Sequence, residues 1–215
     1  MQIDTTAGFC CLDDFCKIYE EWERAGRIGV EGSRLRDHML SLSEMLLIMT
    51  MFHNSAYKDF KRYHEPGIKH EYAELFGQTP CHARFVALMK QLLVPFAILL
   101  HSLKGEETGV YFIDSSHKGY IGKELFTKRW RNGLQLIIGI RKTMKNYLMP
   151  WFDKVLLRKR FIIETLFDKL KSAMSLEHSR HRPPVNAFVH ILSCLVAYCF
   201  SSNKPKIGTV ISMKA

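Results

Sequence analysis

The sequence predicts a mainly α chain with a small β component, and three observations predict it. Apolar residues recur every three or four positions along most of the chain, the period that gathers side chains on one face of a helix. Two short runs, GVYFIDSS from 109 and LQLIIGI at 134–140, are instead rich in strand formers. With 215 residues, 47% of them hydrophobic and 24% charged, the chain can bury a core as one or two domains and is too apolar to be disordered.

Residues 1 to 11 carry no periodic signal and read as a loose lead-in. Leu12, Phe15, Ile18, Tyr19 and Trp22 then recur at helical spacing up to Ala25. Gly26, Gly29 and Gly32 break the pattern and make Arg24 to Arg36 a flexible basic loop. Ser41 followed by Glu44 is a capping box, and it opens LSLSEMLLIMTMFHNS, apolar almost all round and so expected to be buried. Next, Tyr57, Phe60 and Tyr63 alternate with Lys58, Lys61 and Arg62; such a pattern can stack on nucleic-acid bases, but the spacing fits aromatics that anchor an amphipathic helix better.

Thr79 and Pro80 supply an N-cap and a first-turn proline for a long helix through Arg84, Phe85, Leu88, Met89, Leu92 and Leu93, with a kink at Pro95. Lys104 to Thr108 is a polar turn. Val110, Phe112 and Ile113 form a strand ending at Asp114, residues 121–131 a helix ending at Gly133, and 134–140 a second strand. Together they make a small right-handed parallel βαβ unit, which needs covering helices because two strands are marginal alone. LMPWFDK turns into the run from Leu156 to Pro184. Pro183 and Pro184 open an almost wholly apolar helix of roughly 17 residues, read as core packing, and the tail beyond Ser201 is polar.

Charge is uneven. Residues 1–116 hold 12 basic and 16 acidic side chains, whereas residues 117–182 hold 16 basic and 5 acidic, so the net +10 of the chain is concentrated there. Lys and Arg packed this way suit a polyanion, because neutralising each phosphate releases counterions; an acidic membrane surface is the other partner such a patch fits. No run of about 18 apolar residues and no signal-peptide pattern opens the chain, so a soluble cytoplasmic protein without a membrane partner is expected. Cys10, Cys11, Cys16, Cys81, Cys194 and Cys199 form no CxxC pair and precede no His pair at zinc-finger spacing, which argues for thiols in a reducing compartment rather than a zinc site.

Within Leu156–Pro184, Arg160, Glu164 and Lys171 stand four and then seven residues apart, offsets that gather them on one face of a continuous helix, with Ile163, Phe167 and Leu170 on the neighbouring, buried face. A carboxylate between two cations has two readings. One is an ordinary amphipathic helix with salt links on its wet side. The other is an acid kept ionised to hold a divalent metal beside phosphate.

The spacing Arg160, Glu164, Lys171 resembles the signature around the last catalytic acid of DDE-type bacterial insertion-sequence transposases. The words LLRKRFIIET, EHSRHR and LVAYC resemble the insertion sequences numbered nine-eight-two in particular. Where many such enzymes carry Tyr three residues before the Arg, this chain has Leu157. The resemblance implies a helical N-terminal domain over 1–104, which helps recognise element ends and assemble the complex. It implies a ribonuclease-H-like core over 105–201, here truncated to the βαβ remnant packed by C-terminal helices, and a tail over 202–215. Asp114 and Glu164 take the positions of the first and last catalytic acids, with Arg160 and Lys171 in support. Lys118, Arg141, Lys142, Lys145, Arg158, Lys159, Arg180 and Arg182 are the expected DNA contacts, with His178 and His181 in the same basic turn. Mg²⁺ or Mn²⁺ is the implied cofactor and double-stranded element-end DNA the implied partner, beside a second copy or a full-length transposase.

One block departs from the family. HKGYIGKELF resembles a segment whose leading Asp is the second catalytic acid, yet that slot holds His117, and only Ser115 and Ser116 separate it from Asp114. The family places further strands and a helix in that interval, so an in-frame internal deletion is inferred. Two-metal phosphoryl transfer needs carboxylates from separate elements to seat two cations about 3.5–4 Å apart. Imidazole is a poor replacement ligand for Mg²⁺. The leading expectation is a transposase by descent that binds DNA without cutting it. The alternatives are an active strand transferase whose core is completed by oligomerisation, and a non-catalytic protein that titrates a full-length transposase.

Overall fold

The computed structural model describes residues 5–26, 40–105, 150–178, 183–202 and 204. The two expected strands, the helix between them and most of the tail lie outside the described residues; within them every regular element is helical. The chain divides into two compact units, Met1–Gly105 with Asp168–Lys204, and Glu106–Phe167 with Pro205–Ala215.

In the first unit, α1 (Thr5–Gly26) begins inside the stretch expected to be a loose lead-in. Its buried stripe is Gly8, Leu12, Cys16 and Tyr19, spaced four, four and three, and Phe9 packs against the core. Gly8 has no side chain to register as apolar, which hides the first turn of the stripe. The capping box forms as expected: Glu44 N donates to Ser41 Oγ at 3.2 Å and Ser41 N to Glu44 Oε2 at 2.6 Å, opening α2 (Leu42–Phe52). Met45 through Thr50 are buried without interruption, and the Thr50 hydroxyl stays satisfied by donating to Leu46 O at 2.8 Å.

The Asp59 carboxylate accepts from Lys61 N at 2.8 Å and starts α3 (Phe60–Arg62), which widens into a π-helical stretch over Tyr63–Glu71. Pro66 lies inside that stretch; its ring crowds the carbonyl four residues back, and a wider turn relieves the crowding. Phe60 and Tyr63 are buried in the core, so the aromatics here anchor the helix rather than face a ligand. Tyr63 Oη donates to Ile48 O at 3.1 Å, and burial holds its phenol well above the usual range.

Thr79 and Pro80 do not open the next helix. α4 (His82–Leu88) starts after Cys81, which offers no side-chain cap. The first amide is met from a distance instead, His82 N donating to Glu65 Oε1 at 3.4 Å. Met89–Leu92 then tighten into a 3₁₀ turn before α5 (Leu93–Ser102). The expected kink therefore falls one turn ahead of Pro95, where the ring would crowd the Gln91 carbonyl. By length and composition the run His82–Ser102 could cross a membrane, but Phe85, Met89, Leu92, Phe96 and Leu99 are wholly inside the core of this unit.

The last helix, α8 (Pro184–Phe200), begins at Pro184 as expected and packs on α2 and α5. Its buried face is Asn186, Val189, His190, Ser193, Cys194, Val196 and Ala197, while Phe188 and Ile191, expected inside, are exposed. Small residues at 193, 194 and 197 let the helix approach closely, and the polar ones find partners: Asn186 Nδ2 donates to Val86 O at 3.1 Å. The small sheet that the sequence assigns this helix to cover lies outside the described residues; within them the helix packs on α2 and α5.

In the second unit, the described residues run from Pro150 to Phe167. They form α6 (Trp151–Lys159), a turn at Arg160, and α7 (Phe161–Asp168), whose last residue belongs to the first unit. Leu156 and Ile163 are buried.

Candidate functional site

The single helix expected from Leu156 is broken twice. At Arg160 the backbone makes tighter bonds, Arg160 N to Leu157 O at 3.3 Å and Ile163 N to Arg160 O at 3.0 Å. Past Asp168 it widens, Lys169–Ala173 forming a π turn closed by Met174 N to Lys169 O at 3.1 Å. The α register that would gather Arg160, Glu164 and Lys171 on one face does not run through all three. Glu164 is exposed on α7 and Arg160 is half-buried in the turn before it. Lys171 takes another carboxylate, its Nζ lying 2.9 Å from Glu177 Oε1, a contact that holds its ammonium above the usual range. Of the neighbouring apolar face, Ile163 and Leu170 are buried and Phe167 is exposed.

Two histidines that sequence reasoning passed over hold the chain just after this segment. Met174 O accepts from His53 Nδ1 at 2.9 Å, and Ser175 O from His190 Nε2 at 3.3 Å; a carbonyl can only accept, so each of those nitrogens carries its proton. His53 Nε2 is 2.8 Å from Ser193 Oγ, and the two imidazoles meet edge to face at 4.7 Å. The grip fixes a sharp turn, with Ser175 in the left-handed region at φ 57°. Lys169 is tied to α8 as well, donating to Ser201 Oγ at 2.9 Å with its ammonium over the Tyr198 ring. A signal for the histidines was present: each closes or interrupts an apolar run, LLIMTMFH and NAFVHILSC, where an imidazole must be buried with partners.

Of the expected DNA contacts, Arg158 is exposed and Lys159 half-buried in the last turn of α6, with Lys154 exposed one turn earlier. Asp114, His117, Lys118, Arg141, Lys142, Lys145, Arg180, His181 and Arg182 lie outside the described residues. Among the described residues no three His, Cys, Asp or Glu side chains are grouped to hold a metal ion. Glu164 supplies the one carboxylate of the expected set that is described, with oxygen donors of the kind Mg²⁺ and Mn²⁺ prefer.

Residues 102–184 match the transposase DDE domain. The matched stretch, less than half of the chain, runs from the end of α5 to the first residue of α8 and contains Asp114, His117, Glu164 and Lys171. It supports a DDE-type transposase, a family that acts on DNA with divalent metal ions and carries a ribonuclease-H-like fold. A search of curated proteins and of solved structures returned no match.

Proposed function

We propose that the chain is an internally deleted transposase of the insertion-sequence group numbered nine-eight-two, one that binds element-end DNA in the cytoplasm and does not transfer strands. The observation that carries the reading is the junction Asp114-Ser115-Ser116-His117 within the stretch that matches the DDE domain. In the sequence it joins the segment of the first acid directly to the block that resembles the one following the second acid, with His117 in that acid's place. Asp114 and Glu164 then provide two carboxylates where a two-metal displacement calls for three. DNA binding needs none of this, since the positive charge of residues 117–182, with Arg158 and Lys159 exposed or half-buried on α6, supplies the phosphate contacts.

Incubation with element-end duplex and Mg²⁺ or Mn²⁺ tests the reading. Retarded DNA with neither nicking nor joining is expected. Nicking that Glu164→Gln abolishes would establish an active enzyme, completed by oligomerisation, and overturn the proposal.

A second reading, titration of a full-length transposase, is favoured by the first unit. Among the described residues its core, from Leu12 through Phe96 to Val196, draws on α1, α2, α3, α4, α5 and α8, so these helices form one packed unit. Co-purification with an intact transposase in the absence of DNA is the expected result of that reading.

A further inference from the structure

His64 stands in the first turn of the π-helical stretch with its side chain wholly buried, and among the described residues neither ring nitrogen has a hydrogen-bond partner. A buried imidazole left so costs free energy unless something else meets its nitrogens. The polar groups around it are of the kinds that ligate metals. The His82 ring, from the first turn of α4, lies edge to face with it, 5.9 Å between centres. Glu65 Oε1 is 3.8 Å from His64 Nδ1, too long for a hydrogen bond. That oxygen is lightly used: it accepts from His82 N at a long 3.4 Å, while Oε2 takes Lys69 Nζ at 3.0 Å. Phe60 and Phe85 pack on the His64 ring, whereas His82 and Glu65 are half-buried, so the cluster meets solvent on their side.

We infer that His64, Glu65 and His82 bind one divalent ion of the Zn²⁺ class, which clamps the π-helical stretch to the start of α4. On a tetrahedral zinc an imidazole nitrogen and a carboxylate oxygen stand about 3.4 Å apart and two imidazole centres about 5 Å, so the separations of 3.8 and 5.9 Å have less than about 1 Å to close. His64 Nδ1 and Glu65 Oε1 are already in bridging range. Among the described residues no three donors converge until the half-buried His82 ring turns a nitrogen toward that pair, and this rotation is the movement that binding requires. Water on the exposed side completes four ligands. Two imidazoles with one carboxylate select a borderline ion over Mg²⁺, which prefers oxygen. The linear sequence hides the site, because His82 comes eighteen positions after His64 and the set includes no cysteine pair. The inference concerns the helical unit alone and does not rest on the transposase reading or on the Mg²⁺ or Mn²⁺ that the resemblance implies.

Titration of the metal-stripped full chain with Zn²⁺ against a chromophoric chelator is the test, with urea unfolding as the second readout. One equivalent is expected to bind and to raise the urea midpoint, and Mg²⁺ is expected to do neither. His82→Gln and Glu65→Gln are each expected to weaken binding at least tenfold, and His64→Leu to remove the rise in midpoint. An unchanged circular dichroism spectrum without metal checks that each variant keeps the fold. The changes at 65 and 82 fall on half-buried positions, so the test stands even where the change in the core at 64 disturbs packing. A chain that takes up no Zn²⁺ overturns the proposal. So does uptake that both His82→Gln and Glu65→Gln leave undiminished, which would place the ion on exposed thiols or histidines elsewhere.

Discussion

His64 is wholly buried among Phe60, His82 and Phe85, and among the described residues neither ring nitrogen has a hydrogen-bond partner. The Glu65 carboxylate lies 3.8 Å from Nδ1, outside hydrogen-bond reach. Burial, the largest influence, pushes the imidazole down to about 4 from an ordinary value of 6.5, with Glu65 pulling the other way. The unfolded chain therefore binds the proton more tightly. Stability is full above about pH 6.5 and falls as pH drops towards 4, by roughly 3 kcal/mol in total. His64→Leu keeps the volume and removes the titration, so its unfolding free energy in urea is expected to match the native chain's at pH 7 within about 1 kcal/mol and to exceed it at pH 4.5. Parallel pH profiles for the two proteins would refute this account. The thiols offer a second check at this scale. Burial pushes Cys16 and Cys194 up to about 12, whereas Cys10, Cys11 and Cys81 are exposed. A maleimide at neutral pH is expected to label the exposed three and to reach Cys16 and Cys194 only after denaturation, as read by peptide mass spectrometry. None of this is legible in KRYHEPG or DFCKIY, because burial of one side chain depends on helices far along the chain.

At the scale of elements, what the sequence made legible was what neighbours in the chain decide. Ser41 with Glu44 specified the start of α2, and Pro184 that of α8, because a cap or a fixed φ acts within one turn. Ser41→Ala is accordingly expected to cost about 1 kcal/mol in chemical denaturation. What stayed hidden was what a distant residue supplies. Glu65 caps α4 from seventeen positions away, and Asn186, His190 and Ser193 are buried on α8 because Val86 O, Ser175 O and His53 receive them. Polar residues on a helix read as its wet face until their partners are known. The helical register expected around Glu164 differs for a related reason: spacing gives one continuous α register from Arg160 to Lys171 only if every turn is α, and the π turn at Lys169–Ala173 changes that without altering the apolar pattern. The same turn ends on Ser175 in the left-handed region, where glycine is at no disadvantage. Ser175→Gly is expected to stabilise by about 0.5–1 kcal/mol, and a loss of stability on that change would show that the Ser175 side chain holds the turn.

For the whole molecule, the charge distribution is the property that acts at a distance. Residues 117–182 carry 16 bases and 5 acids, while residues 1–116 are slightly acidic, so DNA affinity is expected to come from the stretch that matches the DDE domain. Contacts of Lys and Arg with phosphate position a protein without reading sequence. Their signature is a linear fall of log affinity with log salt, and its slope counts the phosphates neutralised. Arg158 is exposed in the last turn of α6, with Lys159 beside it. Replacing each by Ala is expected to reduce the salt slope by about one for every phosphate left without its cation. The accompanying drop in affinity is expected to be the same for element-end and unrelated duplexes, measured by fluorescence anisotropy over a KCl series. Replacing Asp14 and Glu21 on the acidic α1 is expected to leave the slope unchanged. If the Arg158 and Lys159 variants bind element ends alone more weakly, these side chains read bases and the phosphate account of the basic stretch is wrong; if their slopes do not change, the phosphates are met elsewhere in the chain.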